Sequence, residues 1–125
     1  MTRQPNVVGA LVALVIVAAC GAEAMTGPPP TAPPGGAVIV ASKIAFDRTE
    51  IDVPAGQPFE LLLENRDALP HNVAIFGADS KPVFVGEIFS GPGAKTYDVP
   101  TLASGRYIFR CDVHPLSMVG EVVAG

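Results

Sequence analysis

Residues 105–124, GRYIFRCDVHPLSMVGEVVA, read as two strands joined by a turn. In the first, Tyr107, Phe109 and Cys111 alternate with Arg106, Ile108 and Arg110. Successive side chains of a strand point to opposite faces, so that alternation gives one buried face and one wet face. Asp112 and Val113 turn the chain, and Val119 to Ala124 form the last strand. The same period of two continues outward through the preceding residues. Tyr97 and Val99 alternate with Thr96 and Asp98. Val83 to Phe89 is an apolar run closed by Ser90-Gly91-Pro92-Gly93. His71, Val73 and Ile75 share one side, and Phe59, Leu61 and Leu63 alternate with Glu60 and Glu64. Ile51 and Val53 alternate with Glu50 and Asp52 before the turn Pro54-Ala55-Gly56, and Ile44 and Phe46 alternate with Lys43 and Ala45. No window from Val38 onward keeps the helical spacing without an interrupting Gly or Pro. Short strands at this spacing predict an all-β sandwich or barrel over residues 38–125, and not a parallel sheet with helices.

Composition narrows the function. The chain has 125 residues, 8 Lys plus Arg against 12 Asp plus Glu, and a formal net charge of −4. There is no basic stripe to neutralise phosphates, so nucleic-acid binding is not expected. Two Cys and two His are too few for a multicopper oxidase, a zinc ribbon or a disulfide-dense scaffold.

The first 37 residues read differently. Arg3 precedes an apolar run from Val7 to Ala19. Thirteen helical residues would span about 20 Å, short of a bilayer core of about 30 Å. A positive start, a short apolar stretch and small residues are the layout of a secretion signal, expected over 1–19. The run ends Val17-Ala18-Ala19-Cys20, which resembles a bacterial lipobox and implies lipidation of Cys20. An uncut membrane anchor and plain secretion are the alternatives. All three place the rest of the chain outside the cytoplasm. Residues 20–37 carry five of the thirteen prolines, between Pro28 and Pro34. Such a stretch favours extended polyproline II and is expected to be a semi-rigid tether of roughly 40 Å, or simply a spacer.

Chemistry concentrates near the C-terminus. Cys111, His114 and Met118 lie within eight residues, and His71 stands far upstream. Each alone has an ordinary explanation: an inert core thiol, a solvated imidazole, a Met filling space. Together they are one thiolate, two imidazoles and one thioether, the donor set of a mononuclear blue-copper site with a weak axial Met. Residues 38–125 contain one Cys, two His and one Met, so these four have no substitutes. A disulfide between Cys20 and Cys111 is the competing use of the thiol. If the four converge, coordination bonds of about 2 Å require His71 and Cys111 to lie within about 8 Å.

The stretches KIAFDRTEIDVPAGQPFELLLENRD (43–67), PHNVAIF (70–76) and CDVHPLSMVGEV (111–122) resemble the cupredoxins, the family of plastocyanin, pseudoazurin, amicyanin and auracyanin. The resemblance implies an eight-stranded Greek-key β-sandwich, one copper ion and electron transfer. It implies His71, Cys111 and His114 as strong ligands and Met118 as the axial one, with Asn72 pinning the ligand loops together. The spacing is C-x2-H-x3-M, whereas related short-loop members have two or four residues between the His and the Met, which leaves the axial distance open. His114 is expected at the surface as the electron port, ringed by Leu69, Pro70, Pro115 and Leu116 as a docking patch for transient redox partners. The N–H groups of Asn72 and Val113 are expected to donate to the Cys111 sulfur and tune the potential. Asp67, Asp79, Asp98 and Asp112 are the acids available to steer a basic partner, or simply to keep the protein soluble.

The leading expectation is thus a monomeric, membrane-tethered, extracytoplasmic one-electron carrier. A copper carrier or chaperone is the alternative, and an enzyme is not expected. The binuclear copper domain of cytochrome oxidase would need two Cys in the loop.

Overall fold

β-Branched and large apolar residues at every second position give strands that can bury one side, and the pairing follows those sides. The computed structural model describes residues 27–125. The expected signal peptide and Cys20 lie outside the described residues. Among the described residues, no helix is long and apolar enough to cross a membrane.

Eleven strand segments occur in chain order: β1 Ala37–Ser42, β2 Ala45–Phe46, β3 Glu50–Val53, β4 Phe59–Asn65, β5 Pro70–His71, β6 Ala74–Phe76, β7 Pro82–Val85, β8 Phe89–Ser90, β9 Gly93–Val99, β10 Gly105–Arg110 and β11 Val119–Ala124. Three of them, β2, β5 and β8, are two residues long. The eight longer ones, with β2 at one edge, build the expected sandwich. One sheet has the order β2-β1-β4-β9 and the other β3-β11-β10-β6-β7, with β5 and β8 forming a small ribbon. Each sheet contains a parallel pairing, β1 with β4 and β3 with β11. A parallel pair cannot be joined by a hairpin, so the chain must leave a sheet and return. It does so by placing β3 in the second sheet between two strands of the first.

The inward faces meet in one core. Ile39, Leu61, Leu63, Ile75, Phe109 and Val122 are all fully buried there. In β4, Phe59, Leu61, Leu63 and Asn65 are buried while Glu60 is exposed, as the alternation requires. β1 is unusual. Ala37, Ile39 and Ala41 join the core, yet Val38 and Val40 on its other side are also buried.

Two sequence expectations change. Lys43 and Ile44 are not strand residues; they adopt φ of 55° and 56° in the turn between β1 and β2, and Ile44 is exposed. The run from Val83 to Phe89 breaks after Val85, where the Gly86 N–H donates to the Val73 carbonyl. β7 is an edge strand, so Val83 and Val85 face solvent and only Phe84 turns in, edge-on to Tyr97.

The C-terminal ends of β4 and β10 lie at one pole of the sandwich, which carries the candidate ligands. The opposite pole is closed by the Gly56 N–H donating to the Leu102 carbonyl.

Candidate metal centre

The upstream ligand is prepared by the end of β4. Asn65 has the inward parity of Leu61 and Leu63 but is polar, and it is fully buried. Its amide donates to the Leu69 carbonyl at 2.8 Å and the Phe89 carbonyl at 3.1 Å, and its oxygen accepts the Asp67 N–H at 2.9 Å. Buried polar atoms need such partners, so these bonds fix the loop between β4 and His71. Gly91 packs so closely that a Cβ there would stand 2.5 Å from the Asn65 and Asp67 carbonyl oxygens.

Asp67 then turns inward. One carboxylate oxygen accepts the Lys43 N–H at 2.7 Å, and the other accepts the Ile44 N–H at 3.0 Å and meets His71 Nε2 at 2.8 Å. Burial pushes the Asp67 carboxyl up, but the Ile44 N–H, the His71 ring and the Lys43 N–H outweigh it and hold it below the usual carboxylate range. Asp67 is therefore a structural acid, not one of the steering acids expected from sequence. Its grip on Nε2 leaves Nδ1 of His71 aimed at Cys111.

The downstream ligands come from one short loop. Cys111 follows β10 with the inward phase of Phe109, and both are fully buried. The His114 carbonyl accepts the Met118 N–H at 3.0 Å and the Ser117 N–H at 3.3 Å, and the Cys111 N–H donates to the Met118 carbonyl at 2.9 Å. The bond from residue 114 to 118 closes one α-type turn, which brings i and i+4 to the same side. This is how the three-residue spacing between His114 and Met118 is accommodated, with Met118 fully buried.

These elements bring the donors together. The Cys111 Sγ lies 3.8 Å from His71 Nδ1 and 3.8 Å from His114 Nδ1. The three ligand atoms all lie within 4.8 Å of one another. The two imidazole rings are 4.9 Å apart, tilted by 59°. His71, Cys111 and Met118 are inaccessible, and only His114 is partly exposed.

Asn72, also buried, joins the two ligand segments. Its amide donates to the Gly86 carbonyl at 2.9 Å and to Asp112 Oδ2 at 3.0 Å, while its oxygen accepts the Asp112 N–H at 2.8 Å. Around the pole, Leu69 and Val113 are exposed, Pro115 is exposed and Pro70 is partly buried. Leu116 stands out at 96% exposure. The sulfur's hydrogen-bond-range neighbours are the two imidazoles.

Sequence reasoning missed Asn65 as a positioning residue and misassigned Asp67. A signal for Asn65 was present, since a polar residue sat at an inward strand position. Asp67 gave only its i to i+4 relation to His71, which means little outside a helix.

One thiolate, two imidazoles and a buried thioether suit a soft, redox-active ion, and copper above all. Both Nδ1 atoms lie at the same distance from the one sulfur. A separated set of ordinary core residues would have no reason to aim both Nδ1 atoms at one sulfur.

A family model described as "Cupredoxin-like domain" matches residues 9–124. Among solved structures, auracyanin from the photosynthetic bacterium Roseiflexus castenholzii aligns with a TM-score of 0.63 at 20% identity, covering 76% of this chain and 99% of that one. Auracyanin A, a "blue" copper protein from Chloroflexus aurantiacus, aligns at 0.62 and 21%, covering 72% and 100%. Amicyanin from Paracoccus versutus aligns at 0.57 and 25%, covering 74% and 84%. No curated protein sequence matches the chain at significant similarity.

Proposed function

Because the chain belongs to the cupredoxin-like family, we propose that it is a blue copper protein that carries single electrons through a site built from His71, Cys111, His114 and Met118. The observation that carries this reading is the convergence of His71, Cys111 and His114, donors from two remote stretches, to within 4.8 Å of one another. The similar structures named as a "blue" copper protein and as amicyanin support it.

The copper, when bound, supplies a one-electron couple. The protein's part is to hold the donors still. Asp67 fixes the His71 ring, the turn from His114 to Met118 fixes the loop, and Asn72 fixes the two to each other. A site that cannot relax toward the preference of either oxidation state keeps reorganisation small. Burial of Cys111 and Met118 excludes water from the sulfurs. His114, the ligand that reaches the surface, is the port through which the electron passes. Leu69, Pro70, Pro115 and Leu116 around it form a small apolar docking face for transient redox partners.

The protein acts as a monomer outside the cytoplasm of a bacterium, held to the membrane by lipid on Cys20. Two or three acyl chains are needed for stable attachment, because one gives only marginal binding. Enzymatic turnover is not part of this reading, because all four donors serve the metal.

The test is to load the protein with cupric ion and record its visible and paramagnetic-resonance spectra. An intense thiolate-to-copper band with narrow copper hyperfine splitting is expected. A colourless complex that a mild chelator strips would move the reading to a copper carrier or chaperone.

A further inference from the structure

The proline-rich segment is not a free linker over its whole length. The Pro28 carbonyl accepts a bond from Arg66 Nη2 at 3.0 Å. The same guanidinium is oriented by two bonds to Glu64, both at 3.1 Å. Pro30, Ala32 and Pro33 are partly buried, and Pro34, itself exposed, forms one wall of a shallow cleft with Phe59, Glu60 and Val99. The segment ends in a tight reversal. The Gly36 N–H donates to the Pro33 carbonyl, Gly35 has φ of 67°, and a Cβ on Gly36 would collide with the Glu60 carbonyl.

The reversal sets the direction. Gly36 lies beside Glu60 at the start of β4, and Pro28 lies beside Arg66 just past its end. The segment therefore spans the length of β4 and runs opposite to it, from Arg66 back to Glu60. Six strand steps from Glu60 to Arg66 rise about 20 Å, a distance that five polyproline II steps from Pro28 to Pro33, about 16 Å, and the turn that follows can cover. Val38 and Val40, buried without belonging to the core, lie on the outer side of β1 next to β4 and need such a cover.

Arg66 is the residue before Asp67, which holds His71. The chain thus leaves the domain at the metal end. We infer that Pro28–Gly36 form a docked strap that makes the His114 and Leu116 face the membrane-proximal end, so that its partner is a membrane-embedded redox protein. This rests on the proposed copper site and on attachment at Cys20. From Cys20 to Pro28 there are eight residue steps, which reach at most about 29 Å however they are arranged. Pro28, beside Arg66 at the metal end, cannot stand farther than that from its anchor point, whereas the opposite pole can. A flexible linker starting at the other end of β4 would reverse this.

Two measurements on the copper-loaded, full-length protein test it. First, a nitroxide on Pro29→Cys reports its distance to cupric copper by pulsed dipolar spectroscopy. Cys111 is the metal ligand and Cys20 is lipidated, so the introduced thiol is the one free to react. A narrow distance distribution is expected, broadening in the added Arg66→Ala variant while the visible band stays unchanged. A broad distribution without Arg66→Ala overturns the strap. Second, a dye on Leu116→Cys or, at the far pole, on Thr101→Cys transfers energy to a rhodamine-labelled lipid in phosphatidylcholine–phosphatidylglycerol vesicles carrying the ascorbate-reduced protein. Transfer stronger from position 116 supports the inference. Equal transfer, or stronger transfer from 101, overturns the orientation. If the protein does not float with vesicles while the Pro29 distance stays narrow, attachment at Cys20 fails, and the membrane-facing conclusion falls with it. A colourless copper complex would instead mark failure of the copper reading.

Discussion

The two stretches that supply the donors are held by different means. Residues 111–118 are closed largely by their own backbone, from Met118 to His114 and from Cys111 to Met118, with Asp112 tied outward to Asn72. Residues 65–72 supply only His71, and they are held by side chains reaching to distant parts of the chain. Asn65 reaches Phe89, Asp67 reaches Lys43 and Ile44, and Asn72 reaches Gly86 and Asp112. The difference teaches that the loop carries the chemistry, while the upstream segment carries the connection between that chemistry and the rest of the fold.

The largest effect that separates the regions comes from removing the loop's unique donor. Cys111→Ser should abolish the visible thiolate band outright, because the described residues contain no other thiol. The fold should persist, since the change is nearly isosteric and β10 and β11 remain paired. Circular dichroism and the copper spectrum together check this. A band that survived would show that the sulfur is not the chromophore and would remove the loop's priority.

The same contrast explains what was legible in the sequence. The strands of the core followed from alternation, since Leu61, Leu63 and Phe109 each had one side to bury. The loop's donors were legible because they lie close together and are chemically distinctive. Asp67 was not, because besides His71 its partners are two backbone N–H groups in a turn with positive φ, over twenty residues away. Alternation even assigned that turn to a strand, since Ile44 and Phe46 happen to be two apart. The exposed Val83 and Val85 misled for a related reason: residue type indicates strand, but only sheet order shows which strand is at an edge. The covered outer side of β1 was hidden too, because a proline-rich composition describes stiffness and not where the segment comes to rest.

Next in size is the bridge between the regions. Asn72→Ala strips the acceptor from the Asp112 N–H and the donor from the buried Gly86 carbonyl. Leaving such groups unpaired costs about 1–3 kcal/mol, and denaturant unfolding of the metal-free protein should show a loss in that range. If the loss appeared only in the copper-loaded form, Asn72 would belong to the metal and not to the fold, and the contrast between self-held loop and externally held segment would weaken.

Asp67→Asn probes the upstream segment alone. Partners that orient a ligand imidazole are worth about 10–100-fold in metal affinity, and a loss of that order is expected. Removing a negative charge beside the site disfavours the cupric form more than the cuprous form, so the reduction potential should rise. The visible band should remain, because Cys111 is untouched. A potential that fell, or did not move, would mean that Asp67 serves only the turn at Lys43 and Ile44.

The smallest effect concerns the surface, where each region offers one exposed leucine. Leu116, from the loop, is 96% exposed, and Leu69, from the upstream segment, 44%. A charge at Leu116 removes almost no buried contact, so Leu116→Glu should leave stability, spectrum and potential unchanged. It does place a carboxylate on the apolar face beside His114, where two copies would meet to exchange an electron. Like charges brought together at an interface disfavour encounter, so self-exchange measured by nuclear-resonance line broadening should slow. Leu69→Glu should slow it less, because a residue already half covered contributes less to the face. The order of the two rates is the informative result. If Leu69→Glu were the slower, the upstream segment would be the docking surface, and the loop's hold on the chemistry would not extend to the choice of partner.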